Sequence, residues 1–344
     1  MDNANSYSKL QKLLDDPDIS EIMINGPRKI FAEKKGTKIL TDVAFTNDAE
    51  ILHMVESIFT AKGKRVDREI PYADVCLDDG TRINAIIPPL SRFGVSVTFR
   101  KFSKQIQTAD DLLRLGTLTK PSLDFLIQCV KNRYNIIISG GTGVGKTTIL
   151  QILTHYFDPS ERVITIEDAA ELKLKQANVV SLETQLPDPN GKGGVTLRDL
   201  IHNALRMTPD RLIVGEIRSD EAIDLIQSMA TGHAGTMGIL HGNSPREVIS
   251  RLETMIIVSG ITLPLGDIRR LIAGTVQIIV HVAKVEDGKR KVTYISAVEG
   301  ITGGEVSLQE LFGYRIEKKD ATGNSVWGLM QLVPLSSTMT FRSN

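Results

Sequence analysis

The segment Gly140-Gly141-Thr142-Gly143-Val144-Gly145-Lys146-Thr147 constrains this chain more than any other stretch. It follows the isoleucine-rich run NIIIS. It precedes a helical pattern in which Ile149, Leu150, Ile152, Leu153, Tyr156 and Phe157 share one face. A buried strand, a glycine-rich turn and an amphipathic helix in that order make a phosphate-binding loop. Glycines let successive N–H groups converge on phosphate oxygens, and the helix N-terminus adds partial positive charge. On this reading Gly141, Thr142, Gly143, Val144, Gly145, Lys146, Thr147 and Thr148 hold ATP or ADP. Lys146 reaches the β and γ phosphates, and the Thr147 hydroxyl ligates Mg²⁺.

The flanking sequence has the matching grammar. RVITIE, RLIVGE and TMGIL are short apolar runs that alternate with helical patterns at 196–206, 219–230 and 244–258. That alternation predicts an α/β domain with a mostly parallel sheet covered by helices on both faces. It begins near residue 119 and runs to 344, with QIIVHVAKV, an Asp287-Gly288 turn and KVTYISAVEG forming a C-terminal β/α appendage. Residues 1–102 read differently. ISEIMI, RKIFAE and TKILTDVAF form a strand meander, Asn47 and Glu50 open a helix, and ADVCL, RINAII and GVSVTFR return to strand. This is a smaller α+β domain, joined by a linker with a short helix at 103–118. Two domains suit 344 residues at about 150 per domain.

Composition narrows the function. Lys and Arg total 41, as do Asp and Glu, so the net charge is zero and a direct nucleic-acid partner is not expected. Apolar runs fall well short of the roughly 18 residues of a membrane span, and MDNANSYSKL carries no apolar signal segment. A cytoplasmic protein that reaches a membrane through partners is expected. Cys76 and Cys129 make no disulfide framework, and the histidines form no HExxH site.

Hydrolysis needs acids at strand ends, where ligands bind in such sheets. RLIVGE ends in Glu216, which would support Mg²⁺ through water or orient the attacking water; Gly215 stands where an Asp often precedes such a Glu. TIEDAAEL places Glu167, Asp168 and Glu171 past another strand, where a carboxylate would accept a proton from water or where acids simply favour a helix N-terminus. TGHAGTMGILHGNSP carries His233 and His241 in a glycine-rich frame that suits a phosphate sensor.

Taken together, GGTGVGKT, TIEDAAEL, LRMTPDRLIVGEIR and TGHAGTMGILHGNSPREVISRLETM resemble the motifs of the type II/type IV secretion traffic ATPases. DPDISEIMINGP, DGTRINAIIPPL, VTFRKF, LETQLPDPNGKGGVTLRDLIHNALRM and LPLGDIRRLIAG look like the CpaF-type branch that serves tight-adherence pili. Gly238 and Gly242 depart from the family's usual histidine box. The resemblance implies a RecA-like P-loop ATPase domain preceded by a PAS-like N-terminal domain, in a homo-hexameric motor. It implies a place at the inner face of the bacterial inner membrane, acting on a platform protein to assemble or retract a pilus. It also implies that Arg82 and Arg100 approach the γ-phosphate, and it matches Arg206 and Arg218 to family arginines at the nucleotide site.

Overall fold

The computed structural model describes residues 7–34, 36–101, 106–185, 187, 191–319 and 325–334. The chain divides into two compact units, one ending at Ile106 and the other starting at Gln107.

The first unit opens with α1 (Gln11–Asp15), then β1 (Ile19–Asn25), β2 (Ile30–Lys34) and β3 (Thr37–Leu40). It continues with α2 (Asp48–Ala61), β4 (Tyr72–Cys76), β5 (Arg82–Ile86) and β6 (Ser96–Arg100). The strands form one antiparallel sheet in the order β3-β2-β1-β6-β5-β4. Asn47 caps α2, its Oδ1 accepting from the Glu50 amide at 3.0 Å; the Glu50 carboxylate returns to the Thr46 amide at 2.7 Å. Ile51, Val55, Ile58 and Phe59 of α2 pack on Ile22, Ile24, Ile83, Val97 and Phe99 of the sheet. One sheet face is thereby covered. On the other face Arg82 stands directly opposite Arg100, and Arg100 opposite Glu21.

The second unit contains α3 (Ala109–Arg114), α4 (Lys120–Lys131), β7 (Ile136–Gly140), α5 (Lys146–Thr154), β8 (Val163–Glu167) and β9 (Val179–Glu183). These are followed by α6 (Leu197–Ala204), β10 (Arg211–Ile217), α7 (Glu221–Ala230), β11 (Met237–His241) and α8 (Pro245–Val258). The chain goes on through α9 (Leu265–Thr275), β12 (Ile278–Lys284), β13 (Arg290–Thr302), β14 (Glu305–Lys319) and β15 (Ser325–Gln331). Nine strands make one sheet in the order β15-β14-β13-β12-β7-β11-β10-β8-β9. From β12 to β9 the pairing is parallel, as expected; β13, β14 and β15 add on antiparallel. Ile137, Ile164, Ile166, Leu212 and Val214 pack under α6 to α9. The side chains of Ile136 and Ile138 point to the opposite face, since strand residues alternate. No helix among the described residues is long and apolar enough to cross a membrane.

Two expectations change. The C-terminal β/α appendage is instead a continuation of the main sheet, because β12 pairs directly with β7 and β13 pairs with β12. The expected linker is also largely built into the second unit. Leu112 and Leu118 are buried, and the Val292 amide donates to the Thr117 carbonyl at 3.0 Å. Residues 102–105 of that stretch lie outside the described residues.

Candidate active site

Strand β7 is buried along its whole length and lies between β11 and β12, with Gly140 level with His241 and Val282. A Cβ on Gly140 would fall 2.2 Å from the Val282 carbonyl oxygen, so only glycine fits where the loop leaves the sheet. Gly143 and Gly145 take φ of +72° and +98°, which turns the chain tightly into α5. No side chain caps α5, so its first-turn amides face outward for an anion. Lys146 is buried, its Nζ donating to the carbonyls of Gly140 at 3.1 Å and Gly141 at 2.6 Å. Gly141, Thr142 and Gly143 are exposed at the mouth, and Thr147 and Thr148 are half-buried on the first helical turn. This cradle fits a nucleotide's phosphates. Among the described residues no group of three His, Cys, Asp or Glu side chains would hold a metal alone. Mg²⁺ suits such a place, because it commonly uses few protein ligands together with phosphate oxygens and water.

At the same edge of the sheet, β10 and β11 bring Glu216 and His241 together, with Glu216 Oε1 2.7 Å from His241 Nε2. The other carboxylate oxygen accepts from the Arg218 guanidinium at 2.7 Å, and Arg218 also lies 3.4 Å from Asp168. Burial pushes the Glu216 carboxyl up, but the Arg218 hydrogen bond and charge, with His241 and Lys146, hold it below its ordinary range. Burial also pushes His241 down, helped by the Lys146 charge and opposed by Glu216. At neutral pH the pair is therefore an ionised carboxylate accepting Nε2–H from a neutral imidazole. Such a carboxylate can orient water and accept its proton.

Glu167 is buried, and Gly215 is the reason. A Cβ at 215 would lie 2.7 Å from Glu167 Cγ, so the glycine leaves room for the neighbouring strand's acid. Glu167 Oε1 accepts from the amides of Glu171 at 3.0 Å and Leu172 at 3.2 Å, which folds the 168–172 turn around the carboxylate. Gly238 is packed as tightly. A Cβ there would lie 2.9 Å from Ile217 Cδ1, so the departure from the usual histidine box is a fit to this core.

Two expected site residues stand elsewhere in the unit. His233 precedes the start of β11, whereas the loop follows the end of the parallel β7, so it sits at the opposite edge of the sheet. Arg206 closes α6 just before the start of β10, also at that far edge, where it donates to the His202 carbonyl at 2.6 Å. Within this subunit neither joins the cluster around Lys146. Arg82 and Arg100 belong to the first unit, where they are cross-strand neighbours; Arg100 Nε lies 3.9 Å from Glu21 Oε1. His281 was not visible beforehand. It is buried on β12 with Nδ1 2.9 Å from Ser139 Oγ, just behind the loop, and burial pushes it down to about 4. Its place inside the apolar run QIIVHVA was the only signal.

The family model for type II/IV secretion system proteins matches residues 3–302. The type IV secretion system protein PtlH of Bordetella pertussis is 32% identical, over 78% of this chain and 86% of its own length. The conjugal transfer protein TrbB of Rhizobium radiobacter is 30% identical, over 83% of this chain and 86% of its own length. The crystal structure of the pilus retraction motor PilT with bound ADP superposes with a TM-score of 0.58, covering 95% of this chain and 83% of that one. At 18% identity, that likeness bears on the fold alone. The described fold is the one expected, a RecA-like α/β domain preceded by a smaller α+β domain. The chain belongs to the type II/IV secretion system protein family.

Proposed function

We propose that this protein is an ATPase that converts ATP and water to ADP and phosphate and uses the cycle to drive assembly of a tight-adherence pilus. The observation that carries the enzymatic part is one sheet edge holding a glycine-rich loop, a buried lysine and Glu216 within 2.7 Å of His241. The loop amides and Lys146 bind the phosphates. Thr147, with Glu216 through water, would hold Mg²⁺, which supplies charge neutralisation at the phosphates. Glu216 orients the attacking water and takes its proton, while Arg218 and His241 hold the carboxylate in place. Glu167 shapes the adjoining turn. Arg82 and Arg100 supply positive charge to the γ-phosphate, whose nucleotide is bound by their own or a neighbouring subunit. The working form is a homo-hexamer at the cytoplasmic face of the inner membrane, passing its motion to a platform protein.

The pilus assignment rests on the segments DGTRINAIIPPL, VTFRKF and LPLGDIRRLIAG. A second reading, a motor for protein secretion, is favoured by the 32% identity to PtlH. One experiment separates them. The gene is deleted in its host, which is complemented with the wild-type chain or with Glu216→Gln. Surface pili and secreted proteins are then scored. Loss of pili alone supports the pilus motor, and loss of secretion with intact pili overturns it.

A further inference from the structure

We propose that Arg290 is a further nucleotide-binding residue, contacting the α- and β-phosphates from the hairpin between β12 and β13. The inference rests on the phosphate-loop reading above. Strand β12 runs beside β7 with Val282 level with Gly140, and it continues to Lys284 before turning back. The hairpin therefore extends past the point where β7 gives way to the loop. Its return strand begins at Arg290, and the Arg290 Cδ lies 4.0 Å from where a Cβ on Gly145 would stand. Gly145 belongs to the part of the loop whose amides cradle the α- and β-phosphates.

Two of the hairpin's other cations are occupied. Lys289 is paired with Asp287 at 2.7 Å, and Lys291 donates to the carbonyls of Leu115 at 2.8 Å and Gly116 at 2.7 Å. Thr117 Oγ1 donates to the Arg290 carbonyl at 3.1 Å, which pins the backbone from the side of α3. Arg290 itself is exposed, and its guanidinium has no partner among the described residues. Across the hairpin it faces Lys284, so two cations stand directly opposite each other beside an anion-binding loop. Like charges in that position destabilise a sheet unless an anion lies between them. A planar guanidinium on a pinned strand suits two adjacent phosphates.

A contact to groups shared by ADP and ATP changes binding without changing the barrier. The test uses the purified full chain, with calorimetric titration of ADP and of a non-hydrolysable ATP analogue. Arg290→Ala is expected to weaken both by about tenfold, the loss of one charge-assisted contact, and to raise KM equally while kcat stays within about twofold. Arg290→Lys recovers part of the loss, and Lys289→Ala changes nothing. GDP binding falls by the same factor as ADP binding. Unchanged affinities in a folded Arg290→Ala protein overturn the inference. So does a loss confined to the triphosphate, which marks a γ-phosphate contact, or one confined to adenine nucleotides, which marks a base contact. Lys146→Ala separates this inference from the reading beneath it. If that variant abolishes binding while Arg290→Ala leaves the affinities unchanged, only Arg290 is misassigned. If it binds ADP normally, the loop itself is misread.

Discussion

In the first unit's sheet, buried Ile83, Ala85, Val97 and Phe99 alternate with Arg82, Asn84, Thr98 and Arg100, which lie on the face away from α2. In the second unit, β7 and β8 are buried from end to end. An antiparallel sheet with one helix on it keeps a whole face for polar side chains, whereas a sheet wrapped on both sides offers polar groups only its ends. The chemistry follows. Gly140, Glu167, Glu216 and His241 all sit at or beside C-terminal ends of parallel strands, while Arg82 and Arg100, the first residue of β5 and the last of β6, stand side by side on one face of an antiparallel sheet. A substitution at a strand end should therefore act on binding or turnover at one spot, and one on the open face should act through charge.

The sharpest way to break this contrast is Lys146→Ala. Phosphate release should fall by at least about a hundredfold, as expected for losing a preorganised cation at the phosphates. Turnover within about threefold of the parent would end the strand-end assignment. Glu216→Gln should also stop turnover, by on the order of a hundredfold, while leaving ATP affinity near normal. A collapse of ATP affinity would make Glu216 a binding or folding residue instead.

Gly215→Ala tests whether the strand end is packed or merely polar. The added methyl would meet Glu167 Cγ, and forced repacking of this kind costs about 1–3 kcal/mol. Thermal denaturation should show a lower Tm; an unchanged Tm would mean that Glu167 moves aside freely. On the open face, Arg82→Ala and Arg100→Ala should each lower turnover about tenfold, equivalent to 1.4 kcal/mol of barrier, with ADP affinity preserved. The double variant should lose less than the sum, because the two stand opposite one another. Equal weakening of ADP and ATP would remove the γ-phosphate role.

The smallest effect is on pH. The Arg218 charge favours the Glu216 carboxylate and disfavours His241 protonation. Arg218→Ala should therefore let both groups take up protons at higher pH. On the role proposed for Glu216 hydrolysis needs the ionised acid, so the acid limb of the pH–rate profile should move upward. An unmoved limb would show that Glu216 does not set it.

The sequence made this strand-end cluster legible where one residue type has one use. Gly140 to Thr147 could be read because a positive φ and a close strand crossing demand glycine, and Glu216 because it terminates an apolar run. The hydrophobic runs of β7, β8, β10, β11 and β12 were legible for the same reason. Less visible was α9, where Gly266 and Gly274 weaken the helical pattern and Pro264 starts it without a side-chain cap. Strand β9 is half exposed at a sheet edge, and β14 mixes Glu305, Gln309, Glu310 and Arg315 among apolar residues, so neither shows a clean period. His233 is close to His241 in sequence, yet β11 lies between them and carries them to opposite edges of the sheet within the subunit.

The position of β7 governs when the nucleotide site can exist during synthesis. Its two hydrogen-bonding neighbours, β11 and β12, lie about a hundred and about a hundred and forty residues further along the chain. Closing such long loops is entropically slow, and no local contact completes the strand earlier. On the ribosome, a nascent chain that already contains the entire glycine-rich loop still lacks the walls that hold it. On the proposed reading, nucleotide can engage only after β12 has emerged and docked, so ligand binding would report assembly of the parallel strands around β7 and stabilise that state by mass action.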